Sequence, residues 1–347
     1  MAHLTGNFTT EAPLSPRVRE AIASAFENGW GDPKKLSQGS HMARQLSQAA
    51  REEIAAAWSV EPTALEIVGE PHLLPYLSLV GHLQPETTLV TSSVDVGKIR
   101  AIARATPRHL QLGADRDGAI QLEPLPESSL ISLQAVNGET GVEQDLRPWS
   151  ELSTNVVLDA TRSLPTGDLY RHWRAVTLDS QSWNGPSGIG FMILNNPSRY
   201  RYPLPHIAPI RVPGSFSLPL LIASAVALTE TISESTRIFD LRNQLRNHLA
   251  AIPGVTVIGG DFDTRYLSIV VTDISGEEVL RALLKRGLLV DAGSACSPED
   301  LSPSHVIAAL GYPVEGHLRF TIHPTHQSRD IEALIHTFTE ELALLRR

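Results

Sequence analysis

The stretch TLDSQSWNGPSGIGFMIL, Thr177 to Leu194, completes a short apolar strand begun at Ala175 and Val176. It turns through polar residues and ends in Gly185-Pro186-Ser187-Gly188-Ile189-Gly190 before the apolar run Phe191 to Leu194. Glycines at that density let backbone come close to a ligand or another chain segment, and the apolar run behind them reads as a buried strand. The same order of apolar strand and small polar loop recurs on the N-terminal side. Leu65-Glu66-Ile67-Val68 delivers Gly69-Glu70-Pro71-His72, and Thr88 to Thr91 leads into Ser93-Val94-Asp95-Val96-Gly97-Lys98. Leu130 to Val136 leads into Asn137-Gly138-Glu139-Thr140-Gly141, and Asn155 to Leu158 delivers Asp159-Ala160-Thr161-Arg162-Ser163. Helical patterns fall between them. Pro16 opens a helix with Val18, Ile22 and Phe26 at helical spacing, a second runs from about Met42 to Trp58, and a third covers Ile99 to Ala105. Strands that alternate with helices and end in small polar loops describe an α/β fold, an open and mostly parallel sheet with its site at the strand carboxyl ends.

At 347 residues the chain has room for one large domain and a smaller one. The expected divisions are an N-terminal segment over 1–15, a large domain over 16–217, a connecting helix over 218–252 and a small domain over 253–347. In the small domain, Thr256-Val257-Ile258, Leu267 to Val271 and Leu288-Leu289-Val290 read as strands. Helices near Gly276 to Arg286 and Ser328 to Leu345 separate them and predict a sheet with helices on one face.

A formal net charge of −9 without a basic run argues against nucleic acid and anionic membranes as partners. The longest apolar stretch, Leu218 to Leu228, is interrupted by Ser224 and falls short of the roughly 20 residues that span a bilayer. The opening MAHLTGNFTT lacks the basic and apolar regions of a signal peptide, so a cytoplasmic protein is expected. A single cysteine, Cys296, excludes an internal disulfide.

The Thr177–Leu194 stretch resembles the cofactor-lysine segment of NifS/IscS-type cysteine desulfurases, S-x-H-K-x-x-G-P-x-G-x-G. These belong to the class V aminotransferase family of pyridoxal phosphate (PLP) enzymes. The resemblance extends along nearly the whole chain in the family's order. LTGNFTTEAPLSP is similar to L-D-x-x-A-T-T-P-x-x-P, and Gly31-Asp32-Pro33 with Ser40-His41 to G-N-P-x-S-x-H. Asn137-Gly138-Glu139-Thr140-Gly141 resembles N-N-E-T-G, Asp159-Ala160-Thr161-Arg162 resembles D-A-x-Q, and Arg211 to Ser215 resembles R-x-G-T. The densest match is Ala292-Gly293-Ser294-Ala295-Cys296-Ser297, running on to Ala309-Leu310-Gly311, which is similar to the loop bearing the persulfide cysteine. It implies a fold type I PLP-transferase-like architecture, with a seven-stranded-type sheet and a small C-terminal α/β domain, in a homodimer that serves sulfur-transfer or Fe–S assembly proteins.

At the family's lysine position stands Ser182, with Gln181 and Asp179 at the preceding histidine and serine. A hydroxyl cannot replace the amine. Glu70 and Pro71 fall at the phosphate-binding positions, Gly138 replaces an asparagine, Arg162 a glutamine, and Val96 the ring-stacking histidine. A carboxylate repels phosphate and proline has no N–H to donate. Asp159, the partner of the ring nitrogen in the relatives, Cys296 and Arg319, at the position that grips the substrate carboxylate, are retained. The expectation is a pseudoenzyme with a vestigial cofactor site and no cofactor. Arg162 would neutralise Asp159 and fill the ring site, and the protein would act as a binding partner or relay sulfur through Cys296. The alternative is an active class V enzyme that holds PLP non-covalently or uses other chemistry.

Plainer readings stand beside these. Cys296 could be a small core side chain, Asp159 could satisfy backbone donors only, and Arg319 could form a domain-interface ion pair. Among Lys34, Lys35, Lys98 and Lys285, only Lys98 lies near a cofactor-lining loop, and its default is a solvated helix face. Ser182 as a hydrolase nucleophile would need a spatial neighbour such as His41 or His72. His323 and His326 are a weak candidate metal pair.

Overall fold

A computed structural model gives the structure of residues 6–28, 31, 35–165, 169–206, 211–293 and 304–347. Seven short strands form the larger sheet: β1 (Leu65–Val68), β2 (Thr88–Ser92), β3 (His109–Leu112), β4 (Ser129–Gln134), β5 (Val156–Asp159), β6 (Ala175–Asp179) and β7 (Gly190–Leu194). Their order is β1-β7-β6-β5-β4-β2-β3. β2 to β6 pair in parallel, while β7 runs antiparallel to both β6 and β1. A mostly parallel sheet is covered on both faces, which is why its strands read as unbroken apolar runs; β4 and β7 are buried at every residue.

Helices α1 (Pro16–Asn28), α2 (Gln38–Ala57) and α5 (Leu218–Ser233) pack together by one face. There Ile67, Leu133, Leu158, Leu178 and Trp183 share a core with Val18, Ile54 and Leu221. Helices α3 (Leu74–Val80) and α4 (Gly97–Ala105) close the other, over Leu89, Leu130, Val157 and Met192. Phe26, expected on the inner stripe of α1, is 61% exposed; the contact with α5 is made from other positions of the helix. The glycines of the deciding stretch do bring backbone close, but to the protein's own atoms. A Cβ on Gly190 would stand 2.8 Å from Leu74 and one on Gly185 2.0 Å from the Ser180 hydroxyl.

The connection expected as one helix is two, α5 and α6 (Ser235–Ala250), which meet at Glu234. The apolar α5 belongs to the large core, and α6 to the small one. The small sheet, β10-β11-β9-β8, is antiparallel throughout: β8 (Val255–Ile258), β9 (Tyr266–Val271), β10 (Asp291–Ala292) and β11 (His317–Thr321). Helices α6, α7 (Gly276–Lys285) and α9 (Ser328–Leu345) share one core with this sheet. Short α8 (His305–Ala309) sends Val306 and Ile307 into the large core. Leu288-Leu289-Val290 is not a strand of that sheet. Leu289 instead pairs with the N-terminal segment, donating to Gly6 O and accepting from Phe8 N, each at 2.8 Å, and Phe8 is buried in the small core. Among the described residues no helix is long and apolar enough to cross a membrane.

Candidate active site at the domain junction

Asp159 ends β5, and its hydrogen bonds from described residues all fall on Oδ1: from Thr161 N (2.9 Å), Thr161 Oγ1 (2.6 Å) and, more weakly, Thr177 Oγ1 (3.4 Å). One oxygen therefore has the structural role and Oδ2 does not. Arg162 does not neutralise Asp159 directly, because no ion pair within 4 Å joins them among the described residues. Its guanidinium lies instead against Gly138, where a Cβ would come within 3.2 Å of Nε. Burial disfavours the charged guanidinium, but Tyr266 of β9, Asp179 and Asp159 outweigh it and raise its pKa. Tyr266 answers in kind: burial raises its phenol, and Arg265 and Arg162 pull it below its ordinary value. Arg162 Nη1 and Tyr266 Oη are both buried without a well-aligned hydrogen bond.

At the end of β6, Asp179 caps the single turn Ser180–Trp183 by accepting from Gln181 N at 3.0 Å. Burial, opposed by that bond and by Arg162, raises its carboxyl. Ser182 is 1% exposed, and its hydroxyl donates to Asp179 O at 2.7 Å, so the side chain serves the turn. Arg265, fully buried, holds the turn from the small domain, donating to Gln181 O (2.9 Å) and to the Asn184 side chain. The histidine that reaches this turn is His323, through Asn184 Oδ1 at 3.1 Å, with Nε2 2.8 Å from Thr9 O. It is placed to orient the N-terminal segment rather than a serine. His326 accepts from His323 N and stacks on Phe8 at 4.3 Å between centroids, and burial lowers the pKa of both imidazoles.

Glu70 caps the turn after β1 through His72 N at 3.1 Å. Val96, at the N-cap of α4, is half-buried against the α3–α4 core. Lys98 is exposed on the first turn of α4, as expected of a helix-face lysine; its ammonium donates to His72 Nδ1, and its charge couples to Asp179, Glu70, Arg162 and Asp159. Burial lowers its pKa against the pull of those carboxylates. The sequence places Lys98 two residues after Val96 on a lining loop, a signal outweighed by the usual preference of helix lysines for water.

From the small domain, Arg319 on β11 reaches Gly138 O (3.5 Å) and lies 3.8 Å from Asp291 Oδ2, which also accepts from Thr10 N and Oγ1 at 2.8 Å. Cys296 falls within 294–303, outside the described residues, as do Asp32, Pro33 and Lys34. The flanks of that segment meet the site. A Cβ on Gly293 would stand 2.5 Å from His317 Nδ1, Ser304 Oγ donates 2.5 Å to Glu139, and His305 Nε2 lies 2.8 Å from Asp95 O. Asp159, Arg162, Gly138, Arg319 and Lys98 are thus brought to one place, and Ser182 is held beneath it in the turn.

Comparison with known proteins follows the same outline. The Aminotransferase class-V family profile matches residues 223–334. A cysteine desulfurase of Klebsiella pneumoniae is 24% identical, covering 99% of this chain and 93% of its own. Cysteine desulfurase IscS of Shewanella piezotolerans is 26% identical, covering 98% and 93%. A solved NifS-like protein superposes with a TM-score of 0.85 at 17% identity, covering 97% of this chain and 99% of the other.

These relatives overturn the expectation of a chain without cofactor. Matched nearly end to end by cysteine desulfurases, the PLP enzymes that its sequence resembles, it belongs with proteins that bind PLP. The expectation failed because it equated loss of the family's lysine and phosphate-binding residues with loss of the site. At the ring end two features of the described residues suit the cofactor: an oxygen of Asp159 that no described residue donates to, and Arg162 Nη1, buried beside Tyr266 without a well-aligned hydrogen bond. At the opposite end Glu70 and Asp179 give an anionic lining and Pro71 offers no N–H, so the positions that hold phosphate in the family do not suit one here. Fold and sequence agree: the chain is similar to cysteine desulfurases of the NifS/IscS type over nearly its whole length and to the class V aminotransferase family over residues 223–334.

Proposed function

We propose that the chain is a PLP-dependent, cysteine desulfurase-like enzyme that acts on a sulfur-bearing amino acid between its two domains. The observation that carries this reading is the reach of Arg319, from the small domain, to Gly138 beside Arg162 and Asp159 of the large one. Asp159 Oδ2 would hold the ring nitrogen, Arg162 Nη1 would donate to an oxygen of the ring, and Val96 would bound the ring's side. Arg319 takes the substrate carboxylate, for which a planar guanidinium offers two parallel donors. Bound, the cofactor supplies an electron sink for the bond broken beside the substrate's amino-bearing carbon. Cys296 receives the sulfur; the anchoring of Gly293, Ser304 and His305 at the site supports that role. The same reading carries a cytoplasmic homodimer that hands sulfur to transfer or Fe–S assembly proteins. Cofactor-loaded protein given L-cysteine and a reductant is expected to release sulfide and alanine and to carry a persulfide on Cys296 by mass. Retained cofactor with neither product rejects the enzyme reading.

A second reading is favoured by Ser182, whose hydroxyl is bonded into its turn and has no amine to offer. In it the chain binds PLP without turning cysteine over, and Cys296 relays sulfur made elsewhere. Cys296→Ser separates the two uses of a silent protein: loss of persulfide labelling together with loss of function supports relay, and unchanged function leaves a scaffold.

A further inference from the structure

Away from the domain junction, β6 starts at Ala175, paired with Leu194 at the end of β7, and runs five residues from there to Asp179. That length keeps the two ends of the strand roughly 15 Å apart. At the far end opens a cavity of about 370 Å³, lined by His82, Gln84, Arg174, Arg199, Tyr200 and Arg201, with no carboxylate in its lining. The fold holds these parts together. Arg201 N donates to Gly81 O at the end of α3 (2.9 Å), and the Tyr200 ring fills the space that a side chain on Gly81 would need. The half-buried Arg174 donates through Nε to Thr154 O (2.7 Å) and through Nη2 to Asn155 Oδ1 (3.0 Å), which leaves Nη1. Among the described residues no carboxylate pairs with Arg174, Arg199 or Arg201 within 4 Å. Glu66, whose charge reaches Tyr200, is committed to Arg211 at 2.9 Å.

Two polar atoms of this lining are buried without a partner. His82 is 2% exposed, and its Nδ1 lies 2.6 Å from the carbonyl oxygen of Ser78, to which it must donate. Nε2 is then a lone pair, and no described group donates to it. Tyr200 Oη is unpartnered as well, with the two ring centroids 5.2 Å apart. Burial, helped by Arg174, lowers the imidazole to about 4, so the ring is neutral near pH 7.

We propose that this cavity binds a phosphate group that still carries a proton: Arg174, Arg199 and Arg201 meet its charge, and its hydroxyl donates to His82 Nε2. Guanidiniums gathered without a carboxylate repel one another, and an anion among them removes that cost. Burial and then Arg199 lower the pKa of Arg174, as expected of a cation held beside another. Hydrogen phosphate brings acceptor oxygens and one O–H. Sulfate matches it in charge and shape but has no proton to give. The site lies apart from the domain junction and does not depend on the function proposed above.

Equilibrium dialysis of the purified chain at neutral pH and low salt, with labelled inorganic phosphate and then with labelled sulfate, tests this. One phosphate per chain is expected, with sulfate held about tenfold more weakly because a buried acceptor then goes unanswered. Arg199→Ala combined with Arg201→Ala removes two exposed side chains and should leave the circular dichroism spectrum unchanged. Its affinity for phosphate should fall about tenfold or more. No bound phosphate, or equal affinity in the double variant, overturns the site. Sulfate held as tightly as phosphate overturns its assignment to a proton-bearing anion.

Discussion

The guanidinium of Arg162 lies where a side chain on residue 138 would go: a Cβ built on Gly138 meets its Nε at 3.2 Å. The pair is a mutual exchange, a lost side chain on one loop making room for a longer one from the next strand. Gly138→Asn alone must push Arg162 off Tyr266 and is expected to cost about 1–3 kcal/mol, the usual range for overpacking a filled site. Arg162→Gln vacates the space, so the double variant should recover part of the loss. The two changes should couple by roughly 0.5–3 kcal/mol, as residues in contact do. Urea unfolding of the four proteins measures this, and additive effects would show that the two residues do not compete for one space.

Ser182 sits where the relatives place a lysine, yet its hydroxyl closes a turn that Arg265 and Asp179 already hold. Ser182→Ala removes one neutral hydrogen bond and should cost about 1 kcal/mol, with cofactor retention in dialysis unchanged. Ser182→Lys forces an ammonium into a fully buried position and should cost roughly 3 kcal/mol or more. A Ser182→Lys protein as stable as the parent would mean that the turn opens readily and that the sequence position still faces the site.

The parallel strands were legible because burial on both faces leaves no polar alternation to confuse the pattern. β3, by contrast, is an edge strand of four residues with one fully buried, Leu112, and gives no such run. α3 spans seven residues with a proline near its start, too few turns for a period to show. Leu288-Leu289-Val290 reads as a strand on its own, but its partner is a segment some 280 residues earlier, Gly6 to Phe8. In the site, the spacing from Asp159 to Arg162 showed which charges were near each other. It could not show the direction of the guanidinium, which depends on the bare Cα of Gly138 and on Tyr266 of another domain.

Arg319 offers a test of substrate contact. Arg319→Lys keeps the charge but loses the planar fork, and a charged hydrogen bond of about 1.5–3 kcal/mol corresponds to a KM for the amino acid raised about ten- to a hundredfold. The effect on kcat should be smaller, since the carboxylate is held in the ground state and during the reaction alike. Steady-state kinetics separate the two constants. An unchanged KM would leave Arg319 with a structural role, which includes its contacts with Asp291 and Gly138.

Asp95 lies directly before Val96, fully buried, with Oδ2 accepting from Ser92 N and Oδ1 from Gln134 Nε2, each at 2.7 Å. Burial raises its carboxyl to about 7 against those two bonds, with Asp159 adding to the rise. In the unfolded chain it titrates near about 3.9, so between these values the folded protein binds the extra proton. Its contribution to stability is complete below the lower value and is lost as pH rises through about 7. His82 and His326, lowered by burial to about 4, and His317, lowered to about 3, act with the opposite sign. Their contribution is complete above about 6.5 and is lost as pH falls through the folded values. In mildly acid solution three imidazoles outweigh one carboxyl, so melting should fall with pH there; around neutrality Asp95 is the one of the four that titrates. Asp95→Asn cannot ionise, and its amide must face one of two N–H donors, at a cost of about 1–3 kcal/mol at every pH. The gap in Tm between parent and Asp95→Asn should therefore be widest in acid and narrow as pH is raised through neutrality. Thermal melts across that range measure it, and a constant gap would mean that Asp95 is ionised in the folded protein throughout.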